Sequence, residues 1–334
     1  MSSHAQPSGS RVVLPLVVGA GATALAVALT MATGGSFTAH TGYEQALREI
    51  TLRDWWQLWA IPPVEFTLIL LLAFVLFRSR GAVNRGYAIS AIALLLLAVC
   101  SPVAGLAQGG LFSAHMSQHV LVGGFAPLLV MLAIPKVDPR RVVRRWWHPL
   151  THPAVAFPLW TGSTVVWLLA GVHHEVLVSQ PLWIIQQVAF FSFGILLWAP
   201  ILERFTVAPD WFGMGAKAGY MAGVWIVGLT FANIYWFSGH AFYGSHAAAA
   251  EAWGISALED QGNAGTVMMV THCFLAFGAV GVLFFKGATE RGLQQRLIEA
   301  GMDADDARFA VRYGDAEAAA RSVGIARTIR VGID

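Results

Sequence analysis

The sequence predicts an all-α polytopic membrane protein, built as a bundle of about eight transmembrane helices. Of its 334 residues, 56% are hydrophobic and only 12% are charged, whereas soluble domains carry about 25% charged residues. The chain therefore has too few charges to cover a water-facing surface. From Gly86 to Pro135 it has no Asp, Glu, Lys or Arg, which is long enough for two spans of about 20 residues each. The net charge of +2 gives no sign of a nucleic-acid partner, so the predicted surrounding is the lipid bilayer.

Eight apolar segments follow one another along the chain, separated by charged or Gly-rich breaks. The break between the third and fourth segments is the run from Ala104 to Gly110. The break between the fifth and sixth surrounds His173, His174 and Glu175 and is interpreted as a loop. The predicted segments are residues 12–33, 62–77, 86–106, 115–135, 154–172, 181–202, 216–238 and 262–285.

The whole chain is predicted to consist of four parts. Arg11 precedes an apolar run that is longer than the roughly 7–15 residues of a cleaved signal, so the first segment is expected to stay as a helix. Trp55, Trp56 and Trp59 favour the headgroup level of a bilayer. The predicted parts are an N-terminal transmembrane helix or signal-anchor at 1–40, an outer interfacial helix at 41–61, a seven-helix membrane core at 62–286 and a cytoplasmic C-terminal tail at 287–334.

The basic residues predict the orientation of the bundle. If the eight segments alternate in direction, every Lys and Arg except Arg48 and Arg53 falls on one side of the membrane. Basic loops are retained on the cytoplasmic side. Both termini are therefore predicted to be cytoplasmic, and the expected location is a bacterial-type cytoplasmic (plasma) membrane, crossed several times.

Most of the eleven histidines then fall on the outer side. Buried polar groups in hydrocarbon are costly and usually face the bundle interior or a wet cavity, so the pattern predicts one polar cavity that opens outward. His246, in a Gly- and Ala-rich loop, is expected to be solvated, whereas His272 lies near the middle of the last segment. The outer histidines are His40, His115, His119, His173, His174, His240 and His246.

The spacing of these residues predicts a metal site. His115 and His119 are four residues apart, so they share one helix face and could bind one ion together. Imidazole with thioether is a ligand set suited to copper, especially Cu(I), although zinc would also accept the histidines and haem would need axial histidines from facing helices. The candidate metal ligands are His115, Met116, His119, His173, His240, Met268 and His272.

One run of residues resembles a known family. The heptapeptide from Ser113 to His119, followed by Pro127-Leu128-Leu129, is similar to the HMxQH and Pro-Leu-Leu pattern of the CtaG family, the multispanning membrane assembly factors associated with caa-type cytochrome c oxidases. The resemblance covers roughly residues 55–285. Weaker similarities occur in the expected order at Trp167 with His173, Gly194 with Trp198 to Leu202, and Asp260-Gln261 with Gly265 and Met268.

The sequence also departs from the family pattern. His173-His174-Glu175 stands where the family usually has His-x-Pro, Gln187 stands where a histidine is common, and Met269 stands where a tryptophan is usual. These departures weaken any ligand role carried over to the sixth segment. The resemblance implies a protein that is not an enzyme, that helps to mature the oxidase, and whose partners are cytochrome c oxidase subunits and other copper chaperones.

Three functions are compatible with these observations. The leading hypothesis is an assembly factor that binds copper at the outer leaflet and aids its insertion into the oxidase. A copper transporter would need ligands that continue from His272 toward the cytoplasm, and no such trail is seen in the sequence. A haem-binding membrane redox protein is the third hypothesis, and a visible spectrum of the purified protein would distinguish it from the other two.

Overall fold

The computed structural model describes residues 58–78, 83–135, 148–204, 207–313, 319–320 and 322–323. Every regular element in these ranges is helical, which confirms the predicted all-α class. The first predicted segment, 12–33, and most of the predicted interfacial helix, 41–61, lie outside the described residues. The α-helices are α1 (Pro63–Arg78), α2 (Arg85–Cys100), α3 (Pro102–Gln108), α4 (Phe112–Val120), α5 (Ala126–Ala133), α6 (Pro153–Leu168), α7 (Ala170–Val178), α8 (Gln180–Leu202), α9 (Met214–Phe237), α10 (Ala247–Ala252), α11 (Ala257–Glu299) and α12 (Ala304–Tyr313).

Between four and six stretches of the described chain are long and apolar enough to cross a membrane. Four are continuous: the stretch Phe112–Ala133, α8, α9 and α11. Two more result if α2 with α3, bent by 41°, and α6 with α7, bent by 70°, each count as one span. The predicted segment 62–77 corresponds to α1, whose 16 residues extend only about 24 Å, less than the hydrocarbon thickness of about 30 Å. The predicted number of eight spans is therefore not confirmed, and the orientation of the termini stays a prediction.

The break after α6 differs from the prediction. The residues His173, His174 and Glu175, interpreted as a loop, are helical and belong to α7. The chain instead breaks at Leu169, which has an extended backbone. The hydroxyl of Tyr243 donates a hydrogen bond of 2.7 Å to the carbonyl of Leu168, so one backbone acceptor freed by the break is satisfied. The 70° bend at this break is what lets α7 carry His173 back into the bundle.

Two glycines allow neighbouring helices of the bundle to cross closely, one at a π-helical segment and one at His272. The stretch Phe112–Ala133 has a π-helical segment, Leu121–Phe125, between α4 and α5. π-Helical turns inside α-helices are rare and occur often at functional sites. Gly194 of α8 lies against this segment so closely that a Cβ at that position would be 2.1 Å from the carbonyl oxygen of Gly123. In the second crossing, Gly228 of α9 lies against the ring of His272 on α11.

Helix α11 is the longest element and extends past the predicted end of the last segment. It starts with a capping box, in which Ser256 accepts from the Glu259 amide and the Glu259 carboxylate accepts from the Ser256 amide. It then continues for 43 residues, well beyond residue 285. Its last turns pack through Leu293 and Leu297 against Ala307 of α12, so part of the predicted tail is a docked helix.

An ion-pair network lies at the C-terminal end of α8. Glu203, which follows α8 in a left-handed conformation, accepts hydrogen bonds from Lys217 at 2.6 Å and from Arg312 at 2.9 Å. Burial by itself raises the pKa of Glu203, but the two cations outweigh it, and the pKa lies below its ordinary value. This network ties α12 to the membrane core.

Candidate metal site

The helix that carries the HMxQH motif is held at its N-terminus by a buried aspartate from another helix. One carboxylate oxygen of Asp260 accepts the amide of Phe112 at 2.7 Å, and the other accepts the amide and the hydroxyl of Ser113 at 3.1 and 2.5 Å. A carboxylate at this position satisfies amides that have no partner within the helix and favours its positive end. Asp260 therefore fixes where α4 begins and which way its histidines point relative to α11.

Replacing Asp260 by alanine is expected to lower the free energy of unfolding by about 1.5–3 kcal/mol, the usual contribution of hydrogen bonds to a charged group. The lower stability follows because the Phe112 and Ser113 amides lose a buried acceptor. The measurement is the apparent melting temperature in detergent. Leu258→Ala is the matched control, since Leu258 lies two residues away and is exposed. Equal melting temperatures for the two variants would contradict the role given to Asp260.

Four histidine rings pack together next to this helix start. The ring centroids of His115 and His119 are 4.2 Å apart, those of His115 and His173 are 4.7 Å apart, and those of His173 and His246 are 5.0 Å apart. His173 is 0% exposed and His246 is 2% exposed. Four imidazoles are thus removed from water in a row that runs from the Gly244–His246 turn into the bundle.

Hydrogen bonds assign the tautomers of the two histidines nearest the turn. Nδ1 of His246 faces the carbonyl of Gly110, which can only accept, so Nδ1 carries a proton. Burial lowers the pKa of His246, which favours the neutral ring with a lone pair on Nε2. That lone pair accepts from Nε2 of His173 at 2.7 Å. A single proton therefore lies between two imidazole nitrogens.

A cavity of about 50 Å³ lies deeper in the bundle, next to His119. His119, Met116, Met268 and His272 line it together with apolar and aromatic side chains. Nδ1 of His272 faces the Met268 carbonyl at 2.7 Å, so this nitrogen is the donor and the lone pair is on Nε2. We call these four residues the inner set. Two imidazoles and two thioethers from α4 and α11 thus share one cavity.

The polar side chains of α8 support this arrangement. The amide oxygen of Gln186 accepts from Nε2 of His119 at 3.1 Å, which leaves the lone pair on Nδ1, and Nδ1 is buried without a hydrogen-bond partner among the described residues. Gln187 donates to Gln118 at 2.9 Å, and Gln118 donates to the carbonyl of Ala98 at 3.0 Å. Gln187 therefore joins α8, α4 and α2, and Gln186 orients a ring that has one nitrogen available for a ligand.

The structure brings six of the seven predicted ligands together. His115, His119 and His173 belong to the row of rings, and Met116, Met268 and His272 lie with His119 at the cavity. His240 is the exception, because it is exposed and its ring lies 4.8 Å from that of Phe242.

The expectation that His246 is solvated is wrong, because His246 is buried in the row of rings. The candidate ligand from this loop is therefore His246 and not His240. The physical reason is local. The Tyr243 hydroxyl is hydrogen-bonded to the Leu168 carbonyl at 2.7 Å and to the Tyr235 hydroxyl at 2.9 Å. These bonds anchor the chain just before His246 and place that histidine inside the bundle. The sequence offered no local signal for this position, because the partner of His246 is 73 residues away.

The histidines are organised as pairs rather than as a preformed site of three or more. Across the described ranges, no three His, Cys, Asp or Glu side chains converge as metal ligands. Asp260, the carboxylate whose charge acts on His246, is engaged with the start of α4. The available donors are therefore neutral imidazoles and thioethers.

Comparison with known proteins identifies the family of the chain. Residues 71–290 match the family model described as the cytochrome c oxidase caa3 assembly factor. No curated protein and no solved structure matches the chain. The matched range contains the histidine row, the inner set and Asp260, and it covers more than half of the sequence. The chain is therefore a membrane protein that belongs to the family of cytochrome c oxidase caa3 assembly factors.

Proposed function

We propose that this assembly factor holds Cu(I) at the inner set and passes it to an oxidase subunit at the outer face of a bacterial-type plasma membrane. The observation that carries the proposal is the shared cavity, which His119, His272, Met116 and Met268 all line. The protein would act by binding and release, without converting a substrate. The family match supports the oxidase as the receiving partner.

The chemistry of the donors favours Cu(I) over a divalent ion. Thioether sulfur is a soft ligand that suits Cu(I). The free energy of moving an ion out of water grows with the square of its charge, and for a single charge it is already of order 20 kcal/mol in the Born limit. A cavity lined by neutral groups, with no carboxylate among its lining residues, therefore disfavours Zn²⁺ and Cu²⁺ much more strongly than Cu(I).

The same features suit delivery. Neutral nitrogen and thioether ligands can be exchanged one at a time for those of an acceptor protein, whereas a closed thiolate site would retain the ion. Met116 and His119 come from α4, and Met268 and His272 come from α11. Each helix thus supplies one imidazole and one thioether, so an acceptor can replace the ligands of one helix while the other still holds the ion.

The alternative functions receive less support. Transport across the membrane would need ligands beyond His272, but the cavity continues with Leu197, Val224 and Leu275, and the Glu203–Lys217 pair closes the far end of α8. Haem would need axial histidines on facing helices with room for the macrocycle between them, and the cavity next to His119 and His272 is lined closely by Trp160, Phe190 and Trp198.

The test is Cu(I) affinity of the purified, detergent-solubilised protein against a chromogenic competitor. His119→Gln and His272→Gln are each expected to weaken Cu(I) binding at the inner set by at least about tenfold, as loss of one ligand or its support typically does. His240→Gln is the matched control, because His240 is exposed and outside the cavity. In cells, the copper content of the oxidase should fall with His119→Gln and His272→Gln and stay normal with His240→Gln. Unchanged affinity in both variants, with normal oxidase copper, would overturn the proposal.

A further inference from the structure

We propose that His173 and His246 form a second, separate Cu(I) site, through which the ion passes on its way to or from the inner set. The inference rests on the proposed copper function, which it deepens by assigning a role to His246. We call this pair the loop pair, because His246 lies in the short turn Gly244–His246.

The two nitrogens of the loop pair already face each other. Their Nε2 atoms are 2.7 Å apart, and the Gly110 carbonyl holds His246 from behind through Nδ1. Bonds from an imidazole nitrogen to a metal are about 2.0–2.1 Å long, so an ion between the two atoms requires a separation of about 4 Å. The separation must therefore grow by a little over 1 Å. Because the Gly110 carbonyl lies behind His246, the turn at Gly110 and the Gly244–His246 turn must move outward together, and neither is part of a spanning helix.

Binding at the loop pair keeps the protons in balance. The proton now between the rings is on Nε2 of His173. When Cu(I) takes its place, that proton moves to Nδ1 of the same ring, and both imidazoles stay neutral. The site then carries only the single charge of the ion, and it needs neither an oxidant nor a base.

The loop pair is distinct from the inner set but connected to it. His173 and His246 do not line the inner cavity. The ring of His115 lies between the two sites, with its centroid 4.7 Å from that of His173 and 4.2 Å from that of His119. Successive imidazoles at this spacing allow an ion to change ligands without leaving the row.

The two sites differ in donor type, and this difference gives them different affinities. The loop pair offers two nitrogens, whereas the inner set adds the sulfurs of Met116 and Met268. Soft thioethers favour Cu(I), so the inner set fills first and the loop pair is the weaker site. A weaker site next to the loops is suited to exchange with a copper donor or acceptor.

The experiment is a Cu(I) titration of the intact protein in detergent, with bound copper measured at equilibrium against a competitor that sets the free Cu(I) concentration. Wild type is expected to hold two ions and His246→Gln one. The His119→Gln/His272→Gln double variant is expected to hold one ion, at the loop pair. His174→Gln is the control, since His174 neighbours His173 but is exposed, and it should hold two.

X-ray absorption of the wild type provides a second readout that does not depend on how a variant folds. The second equivalent of Cu(I) is expected to add only nitrogen neighbours, while the first shows sulfur. Two ions bound by a folded His246→Gln variant, or sulfur around the second equivalent, would overturn the loop pair and leave the inner site intact. Wild type that binds no Cu(I) would overturn the proposed function itself.

Discussion

Gly194→Ala is expected to destabilise the protein by about 3 kcal/mol, at the upper end of the usual cost of overpacking. The added methyl group would lie 2.1 Å from the carbonyl oxygen of Gly123 and 2.6 Å from Cγ of Pro127. Backbone atoms cannot rotate away, so α8 and the π-helical segment must separate by about 1 Å. Packed interiors transmit such a displacement, and the melting temperature in detergent should fall by several degrees.

Gly162→Ala is the control for this variant. Gly162 lies inside α6, and a Cβ there would meet nothing within 4 Å. Alanine at that position should leave stability unchanged or raise it by less than about 1 kcal/mol, because glycine is the poorer helix former. If the two variants have the same melting temperature, the close crossing at Gly194 is not what holds α8 in place.

Gly228→Ala is expected to weaken the tighter Cu(I) binding by about 100-fold, the upper end of the usual effect of losing a ligand's support, through displacement of His272. The new methyl group would overlap the imidazole, at 2.2 Å from Cγ and 2.4 Å from Cδ2. Because Cγ is the first ring atom, rotation of the ring about its own bond gives no relief, and the whole side chain must leave its place. The imidazole of His272 then loses its place in the lining of the cavity that the inner set shares.

Two further variants separate this effect from general damage. Gly219→Ala is on the same helix with nothing within 4 Å of its Cβ, and it should bind Cu(I) like the wild type. The Gly228→Ala/His272→Ala double variant should be about as stable as His272→Ala alone, because the methyl group then has space, yet it should not recover binding. Such non-additive stability is the signature of two residues in contact. Normal Cu(I) affinity in Gly228→Ala would contradict the role of His272.

Much of the fold follows from the sequence because hydrocarbon imposes simple rules. The segments predicted at 181–202 and 216–238 agree closely with α8 and α9, since long runs without charge have few alternatives in a bilayer. The i, i+4 pairing of His115 and His119 also follows directly from helical geometry. The spacing of apolar residues does not, however, reveal helix breaks that are stabilised by residues far away in the sequence. The bend at Leu169 depends on a hydroxyl from Tyr243, 74 residues later in the chain.

The site was only partly predictable for the same reason. Sequence spacing places two residues of one helix side by side, but it does not pair residues of different elements. The contact between His173 and His246 and the tie from Asp260 to Phe112 join elements far apart in the chain. Gln186 is a similar case, since its partner His119 is 67 residues away and only the folded bundle shows which of two neighbouring glutamines meets the histidine.

The unbroken length of α11 has a mechanical consequence. Its 43 residues extend about 65 Å, roughly twice the hydrocarbon thickness, so one part of it must project into water. Asp260, Met268 and His272 occupy one end of this rod, and Leu293 and Leu297, which hold α12, occupy the other. A protein that binds the projecting end therefore contacts the same continuous helix that carries two of the proposed ligands.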